Sequence, residues 1–302
     1  MQSKLTPTGT NAERSRFLNR QAVLGRINAN GAMGRAELAR GLGLSTQALS
    51  NIIADLVADG LIVEKGRRSG GRGMPTILYG LNAEGGYALG AEIRLDALFT
   101  ALVDLSGHPV ASHRQPLSDT SPGAVSDALR ARLDALLSVA GVSRERLLGA
   151  GVVMPGPFGR TGLAGQSADL PGWIETDPVV LLSEALGLPV ALSNDANGAA
   201  MAERLGGSAQ GLSNFAYLYF GTGLGLGVIQ HGHLMTGAFG NAGEIGQLPI
   251  STEDGPAPLE SRLSRLSLQR HLGRRCEFAE IAALFAARDP ALMAWQAQAR
   301  AA

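Results

Sequence analysis

The sequence predicts an α/β protein in two parts: a winged helix-turn-helix domain over residues 1–82, then a two-lobed α/β domain over residues 83–302. Three observations predict it. A chain of 302 residues has room for about two domains. The hydrophobic pattern is helical at first, then turns from Tyr87 onward to short strand-like runs alternating with helical ones. Charge splits at the same place. Residues 1–82 hold 11 Lys and Arg against 5 Asp and Glu, a net of +6, and the rest hold 15 against 21, a net of −6. A basic segment on an acidic body suits an anionic partner for that segment alone.

In the first part, a helix over about 13–28 offers Phe17, Leu24 and Ile27 to a small core. The stretch RAELARGLGLSTQALSNIIADLVADGLIVEKG then reads as helix, turn, helix and strand. The first of these helices, Arg35–Gly41, ends in the turn Gly41–Leu44. The second starts at Ser45, a good N-cap, and stops at Gly60; Leu49, Ile52, Ile53, Leu56 and Val57 follow the helical repeat. Its polar face carries Thr46, Gln47, Ser50 and Asn51 beside Ser45, short hydrogen-bonding side chains of the kind a recognition helix brings to base edges. LIVEKGRRSGGRGMPTILYGL follows, two apolar segments around a tip with Arg67, Arg68 and Arg72. Such a hairpin is a wing whose arginines reach phosphates or the minor groove. These features point to double-stranded DNA, the alternative being a helical bundle used for protein contacts.

In the second part, YALGAEI, ALFTALVDL and HPVASH form three strands, with Gly107 turning the chain before the third. A helix over about 123–140 points Val125, Leu129, Leu133 and Leu136 or Leu137 inward. The strand LLGAGVVM, the loop SADLPGW, a helix near Pro178–Leu186 and the strand PVALS come next. A helix starts in SNDANGAAM, where Asp195 is a general base, a ligand-holding group or only a helix cap. NFAYLYFGTGLGLGVIQHGHLM then makes two strands around a glycine hairpin. Gly221, Gly223, Gly225 and Gly227 alternate there, which lets backbone N–H groups approach an anion. Neither a Walker A loop nor a dinucleotide fingerprint is present, and a tight hairpin with no ligand fits the residues as well.

PGP (155–157), LPGW (170–173), SNDANGAAMAE (193–203), FGTGLGLGV (220–228) and GNAGEIG (240–246), in that order behind a winged helix, resemble the ROK family. That family comprises sugar-sensing repressors and sugar kinases on the actin/hexokinase/Hsp70 fold. The resemblance covers about residues 13–300. It implies that Asp195 matches the carboxylate that takes the proton from a sugar hydroxyl. Asn194 and Glu244 match sugar-hydroxyl ligands, and Gly221, Thr222, Gly223 and Gly225 belong to the second phosphate loop. Asp169 stands where many relatives have an asparagine near the sugar.

Three departures follow from the same resemblance. The first phosphate loop of the kinases, D-x-G-x-T, corresponds to GAEIRLDALF, with Glu92 at the aspartate place, Arg94 and Leu95 at the glycine places and Asp96 at the threonine place. The family's zinc site, a histidine and a cysteine run, is reduced to Gln247 and DGPAPLES, in which Glu260 keeps the last acidic position. Glu260 is there either a sugar contact or a surface glutamate at a helix start. The sequence stops at AWQAQARAA, before a stretch that completes the first lobe in relatives, so the second domain is expected to be C-terminally truncated.

The expected function is a sugar-responsive transcriptional regulator, a repressor acting as a homodimer or higher homo-oligomer on operator DNA. Its sugar effector would be held by Asp169, Asn194, Asp195, Glu244 and Glu260. In this reading Asp195 is a vestigial base, no residue is catalytic, and neither a metal nor a cofactor is needed. The alternative is an ATP-dependent hexose kinase of the glucokinase type with an appended DNA-binding domain. The only cysteine, Cys276, excludes a disulfide framework and a thiolate-clustered zinc site. No run of about 18 uncharged apolar residues provides a membrane span. The start MQSKLTPTGTNAERSR lacks the apolar core of a secretory signal, so a cytoplasmic location is expected.

Overall fold

The computed structural model describes residues 11–69, 75–156, 170, 172–173, 175–238, 242–252 and 255–301. The chain divides into two compact units, Met1–Pro155 with Ser167–Ser193, and Gly156–Gln166 with Asn194–Ala302.

The first unit begins with α1 (Asn11–Asn30), β1 (Met33–Gly34), α2 (Arg35–Leu42), α3 (Thr46–Ala58), β2 (Ile62–Arg68) and β3 (Thr76–Leu81). Gly43, in the left-handed region at φ 64°, ends α2, and Gly60 at φ 72° follows the last turn of α3. Ser45 caps α3 by accepting the Ala48 N–H at 3.2 Å. Val23, Ile27, Leu38, Leu49, Ile53, Leu56, Ile62 and Tyr79 close one core. Two expected core residues lie outside it: Phe17 is 49% exposed and Val57 is 42% exposed. The buried stripe of α1 centres on Val23 and Ile27, and Phe17 falls on its margin, toward the helix start. The wing is antiparallel, pairing Ile62 with Leu81 and Arg68 with Thr76, and β1 joins its other side through Met33 and Tyr79.

A five-stranded sheet in the order β6-β5-β4-β7-β8 follows in the same unit, built from β4 (Tyr87–Ile93), β5 (Ala97–Asp104), β6 (Pro109–Pro116), β7 (Leu147–Val153) and β8 (Val190–Ser193). β4, β5 and β6 form an antiparallel meander, whereas β7 and β8 run parallel to β4. The helices α4 (Pro122–Ala140) and α5 (Pro178–Leu186) pack against each other and the sheet. The inward residues of α4 are those its periodicity selects: Val125, Leu129, Leu133, Leu136 and Leu137. Asp177 caps α5 through the N–H groups of Val179 and Val180, and Trp173 donates to the Thr120 carbonyl at 2.7 Å. The expected boundary at 82/83 falls in a stitched joint. The Asn82 amide donates to the Gly60 carbonyl at 2.8 Å, the Leu105 N–H to Ala83 at 3.0 Å, and the Arg146 guanidinium to Glu84.

The second unit opens with α6 (Asp195–Gly206), which lies on a three-stranded antiparallel sheet of β9 (Phe215–Phe220), β10 (Leu224–Gln230) and β11 (His233–Leu234). The hairpin β12 (Pro249–Thr252) and β13 (Gly255–Pro258) follows, then α7 (Arg265–Leu272), α8 (Phe278–Ala286) and α9 (Pro290–Ala301). Leu268, Cys276, Ile281, Leu292 and Trp295 close a separate core, with Phe220 edge-on to Trp295 at 6.1 Å between ring centroids. Among the described residues no helix is long and apolar enough to cross a membrane.

Candidate functional site

On the winged helix, Ser45, Thr46, Gln47 and Asn51 are exposed and Ser50 is half-buried, all within the first two turns of α3. Gln47 donates to the Asn51 side-chain oxygen at 3.2 Å, so the two amides hold each other in one orientation. Arg67 and Arg68 stand exposed on β2; Arg68 also pairs with Glu37 at 3.4 Å, an exposed pair of little energetic weight. Arg72 lies outside the described residues. This unit therefore offers polar donors and acceptors on a helix and cations on an adjacent strand.

In the second unit, the turn from SND into α6 gathers a polar cluster. Asn194, not Asp195, is the N-cap: its side-chain oxygen accepts the Asn197 N–H at 2.8 Å. The Asn194 amide donates to Glu244 Oε1 at 2.9 Å, and Asn194 itself is only 7% exposed. Asp195 is half-buried at the first helical position and accepts the Ala196 N–H at 3.0 Å. A carboxylate there is favoured by the helix dipole. Burial pushes the Glu244 carboxyl above its ordinary range; the Asn194 hydrogen bond pulls it back down and the charge of Glu260 pushes it up again. Gly156, from the PGP motif, lies against this pair, where a Cβ would stand 3.2 Å from Glu244 Oε1. Asn197 is 3% exposed and its side-chain oxygen has no partner among the described residues. Asp169 lies outside the described residues.

The glycine hairpin differs from the expected anion cradle. A nest needs residues of alternating handedness, and Gly221, Gly223, Gly225 and Gly227 all have φ outside the left-handed region. Gly225 belongs to β10 and not to the turn; a Cβ there would meet Ala196 Cβ at 2.7 Å. At Gly227 a Cβ would meet the Ala196 carbonyl and Ala200 Cβ at 2.5 Å. These two glycines let α6 lie directly on the strand. The turn itself is Gly221, Thr222 and Gly223, closed by a 3.0 Å bond from the Gly221 N–H to the Gly223 carbonyl. Arg265 approaches the Thr222 hydroxyl at 3.4 Å.

Glu260 is neither an isolated surface group nor at the start of a long helix. It sits in a single 3-10 turn, Leu259–Ser261, with its carboxylate turned inward. Oε1 accepts from Gln247 Nε2 at 2.7 Å and Oε2 from the Leu224 N–H at 3.3 Å. In the first unit, the segment at the first phosphate-loop place is the tight turn between β4 and β5. There Arg94 pairs with Glu92 at 2.6 Å and stacks over Phe99 at 4.5 Å. The sequence reading missed the roles of Gly156, Asn197 and Gln247. The signal for Asn197 was available in its i, i+3 spacing from Asn194, whereas Gln247 read only as a lost histidine.

A winged helix joined to an α/β body with a polar cluster at the Asn194 turn defines a class of sugar-kinase-like proteins with a DNA-binding type of N-terminal domain. The chain belongs to the ROK family, whose family model matches residues 89–300, and a MarR family model matches residues 22–73. It is 29% identical over 235 residues to the xylose repressor of Bacillus spizizenii, covering 77% of this chain and 60% of that protein. It is 30% identical over 169 residues to the glucokinase of Halalkalibacterium halodurans, covering 55% of this chain and 51% of that protein. Among solved structures, a ROK family transcriptional regulator homologous to E. coli MLC aligns with a TM-score of 0.73 at 21% identity, over 94% of this chain and 78% of that one. The ROK hexokinase from Thermus thermophilus aligns with a TM-score of 0.55 at 28% identity, over 70% of this chain and 73% of that one. The chain thus spans 60% of the length of the xylose repressor from B. spizizenii, and its fold is that of a ROK regulator.

Proposed function

We propose that the chain is a sugar-responsive transcriptional regulator, a repressor. It binds double-stranded operator DNA through α3 and the wing, and a sugar or sugar derivative through Asn194, Asp195 and Glu244, as a cytoplasmic homodimer. The observation that carries this reading is the exposed, mutually braced polar face of α3 on the same chain as the Asn194–Glu244 pair. The similarity to the xylose repressors supports it and makes D-xylose the first effector to test. A sugar that binds one conformation better than another shifts the population of DNA-competent dimers by its differential affinity.

In this reading Asp195 holds a hydroxyl without acting as a base. Support comes from the β4–β5 turn, where the Arg94–Glu92 pair fills a place that kinases leave to glycine. The second reading, an ATP-dependent hexose kinase, draws on the glucokinase relative and on the position of Asp195 at the start of α6.

Fluorescence-anisotropy titration against DNA from the gene's own upstream region, at fixed salt and with a panel of pentoses and hexoses, tests the proposal. Specific binding altered by one sugar is the expected result. Absence of specific binding overturns it, and a coupled assay with ATP, magnesium and hexoses then tests the kinase reading.

A further inference from the structure

We propose that Glu260 is a positioning residue: its carboxylate clasps the segment carrying Glu244 to the glycine hairpin, holding that segment without a metal ion. The two oxygens reach two different pieces of chain, Gln247 Nε2 at 2.7 Å and the Leu224 N–H at 3.3 Å. Gln247 is three residues beyond Glu244 and its own N–H donates to the Glu244 carbonyl at 3.2 Å. Between them, Gly246 has no room for a side chain, since a Cβ would lie 2.4 Å from the Leu224 carbonyl oxygen and 2.9 Å from Glu260 Oε2. Backbone bonds continue the tie on both sides, from the Leu226 N–H to Gly243 at 2.9 Å and from the Leu259 N–H to Leu248 at 2.9 Å. A charged acceptor facing a neutral N–H donor makes the stronger class of hydrogen bond, to which the 2.7 Å bond from Gln247 belongs; the 3.3 Å bond from Leu224 is a longer, weaker second tie.

The zinc ion that the family resemblance implies for this loop does not fit these residues. The side chain at the histidine place is an amide, a poor zinc ligand, and its nitrogen already donates to Glu260. The sole sulfur ligand type, Cys276, is buried in the core of α7, α8 and α9 with Leu268 and Trp295. The clasp does for this loop what a coordinated ion does elsewhere: it joins segments distant in sequence at a single charged centre.

The inference rests on the sugar-site reading only for its binding readout. The full 302-residue chain, purified from zinc-supplemented medium, is expected to carry substoichiometric zinc by elemental analysis and to keep its melting temperature in EDTA. Gln247→Ala and Glu260→Ala are each expected to lower the melting temperature by about 5 °C. Glu280→Gln, which breaks the exposed pair with Arg274, is expected to leave it unchanged. Stoichiometric zinc, a drop of the wild-type melting temperature in EDTA, or an unaltered melting temperature in Gln247→Ala overturns the clasp. Calorimetric titration with D-xylose and D-glucose gives the second readout: Gln247→Ala is expected to weaken the sugar that binds wild type by about tenfold. Equal affinity in variant and wild type overturns the positioning role. If wild type binds neither sugar, the sugar reading loses its support, while the zinc and melting data still decide the clasp.

Discussion

Replacing Asn194 by Ala removes two bonds at once, and their different pH dependence makes the result diagnostic. The first is the N-cap bond to the Asn197 N–H at 2.8 Å, whose loss costs about 0.5–2 kcal/mol. The second is the 2.9 Å bond to Glu244, whose loss leaves a half-buried carboxylate short of a donor, at about 1–3 kcal/mol. Together they predict a loss of about 1.5–5 kcal/mol near neutral pH, toward the low end because Glu244 is partly exposed. The Glu244 carboxyl already lies above its ordinary value because burial disfavours the charge. A carboxyl raised in the folded state contributes its stability on the acid side, fully below the unfolded value, and loses it as pH rises through the folded value. Removing the Asn194 donor raises that carboxyl further, so the deficit is larger at about pH 7.5 than at about pH 5. Urea unfolding followed by far-UV circular dichroism at the two pH values measures it. Equal losses at both would refute the pairing of Asn194 with an ionised Glu244, and a loss below about 0.5 kcal/mol at both would refute the cap as well.

Gly227→Val is expected to destabilise by at least about 1–3 kcal/mol, read as a lower urea midpoint, because its Cβ would meet the Ala196 carbonyl and Ala200 Cβ at 2.5 Å. Leu49→Ala, at a fully buried position of the winged-helix core, is expected to cost about 2–5 kcal/mol and to weaken DNA binding through loss of the folded domain, checked by circular dichroism alongside anisotropy. Asn51→Ala is expected to relax discrimination at one base position by about 1–3 kcal/mol, whereas Arg67→Ala weakens binding to all sequences alike and lowers the salt slope by about 1. Anisotropy titrations over an operator variant set and a salt series separate the two.

The local grammar of the winged helix was legible because each signal is short-range. Ser45 caps, Gly43 and Gly60 turn left-handed, and Leu49, Ile53 and Leu56 face the core as the helical repeat dictates. The error at Phe17 is long-range: which edge of an amphipathic stripe is covered depends on where α2, α3 and β3 pack on α1. The body was legible as strands and helices, and the glycines of FGTGLGLGV stood out, yet the packing of α6 on two of them was not. Alternating glycine suits an anion cradle and a strand beneath a helix equally well, and at Gly225 and Gly227 the position of Ala196 and Ala200 accounts for the missing side chains. Likewise the spacing in SNDAN marked the helix start, but the bond from the capping Asn194 to Glu244, 50 residues away, was not legible there.

Glu260 and Arg94 bear separately on the two segments at the phosphate-loop places, one in each compact unit, and this gives a last prediction. At the hairpin, the Leu224 N–H already meets an anion, the carboxylate of Glu260. A phosphate brought there meets a like charge, worth about 1 kcal/mol at 4 Å in water and about 4 kcal/mol at an effective dielectric of 20. At the β4–β5 turn, the Arg94–Glu92 pair and the stacking of Arg94 on Phe99 replace glycine backbone with side chains. Neither feature depends on the other, so undoing one leaves the second in force. Arg94→Gly alone is therefore expected to give no ATP turnover with D-glucose or D-xylose in a coupled assay, and Glu260→Gln alone to give none. Turnover restored by either single change would refute the view that both loops have been turned away from phosphate, and turnover lost again on adding Asp195→Asn would identify that carboxylate as a working base.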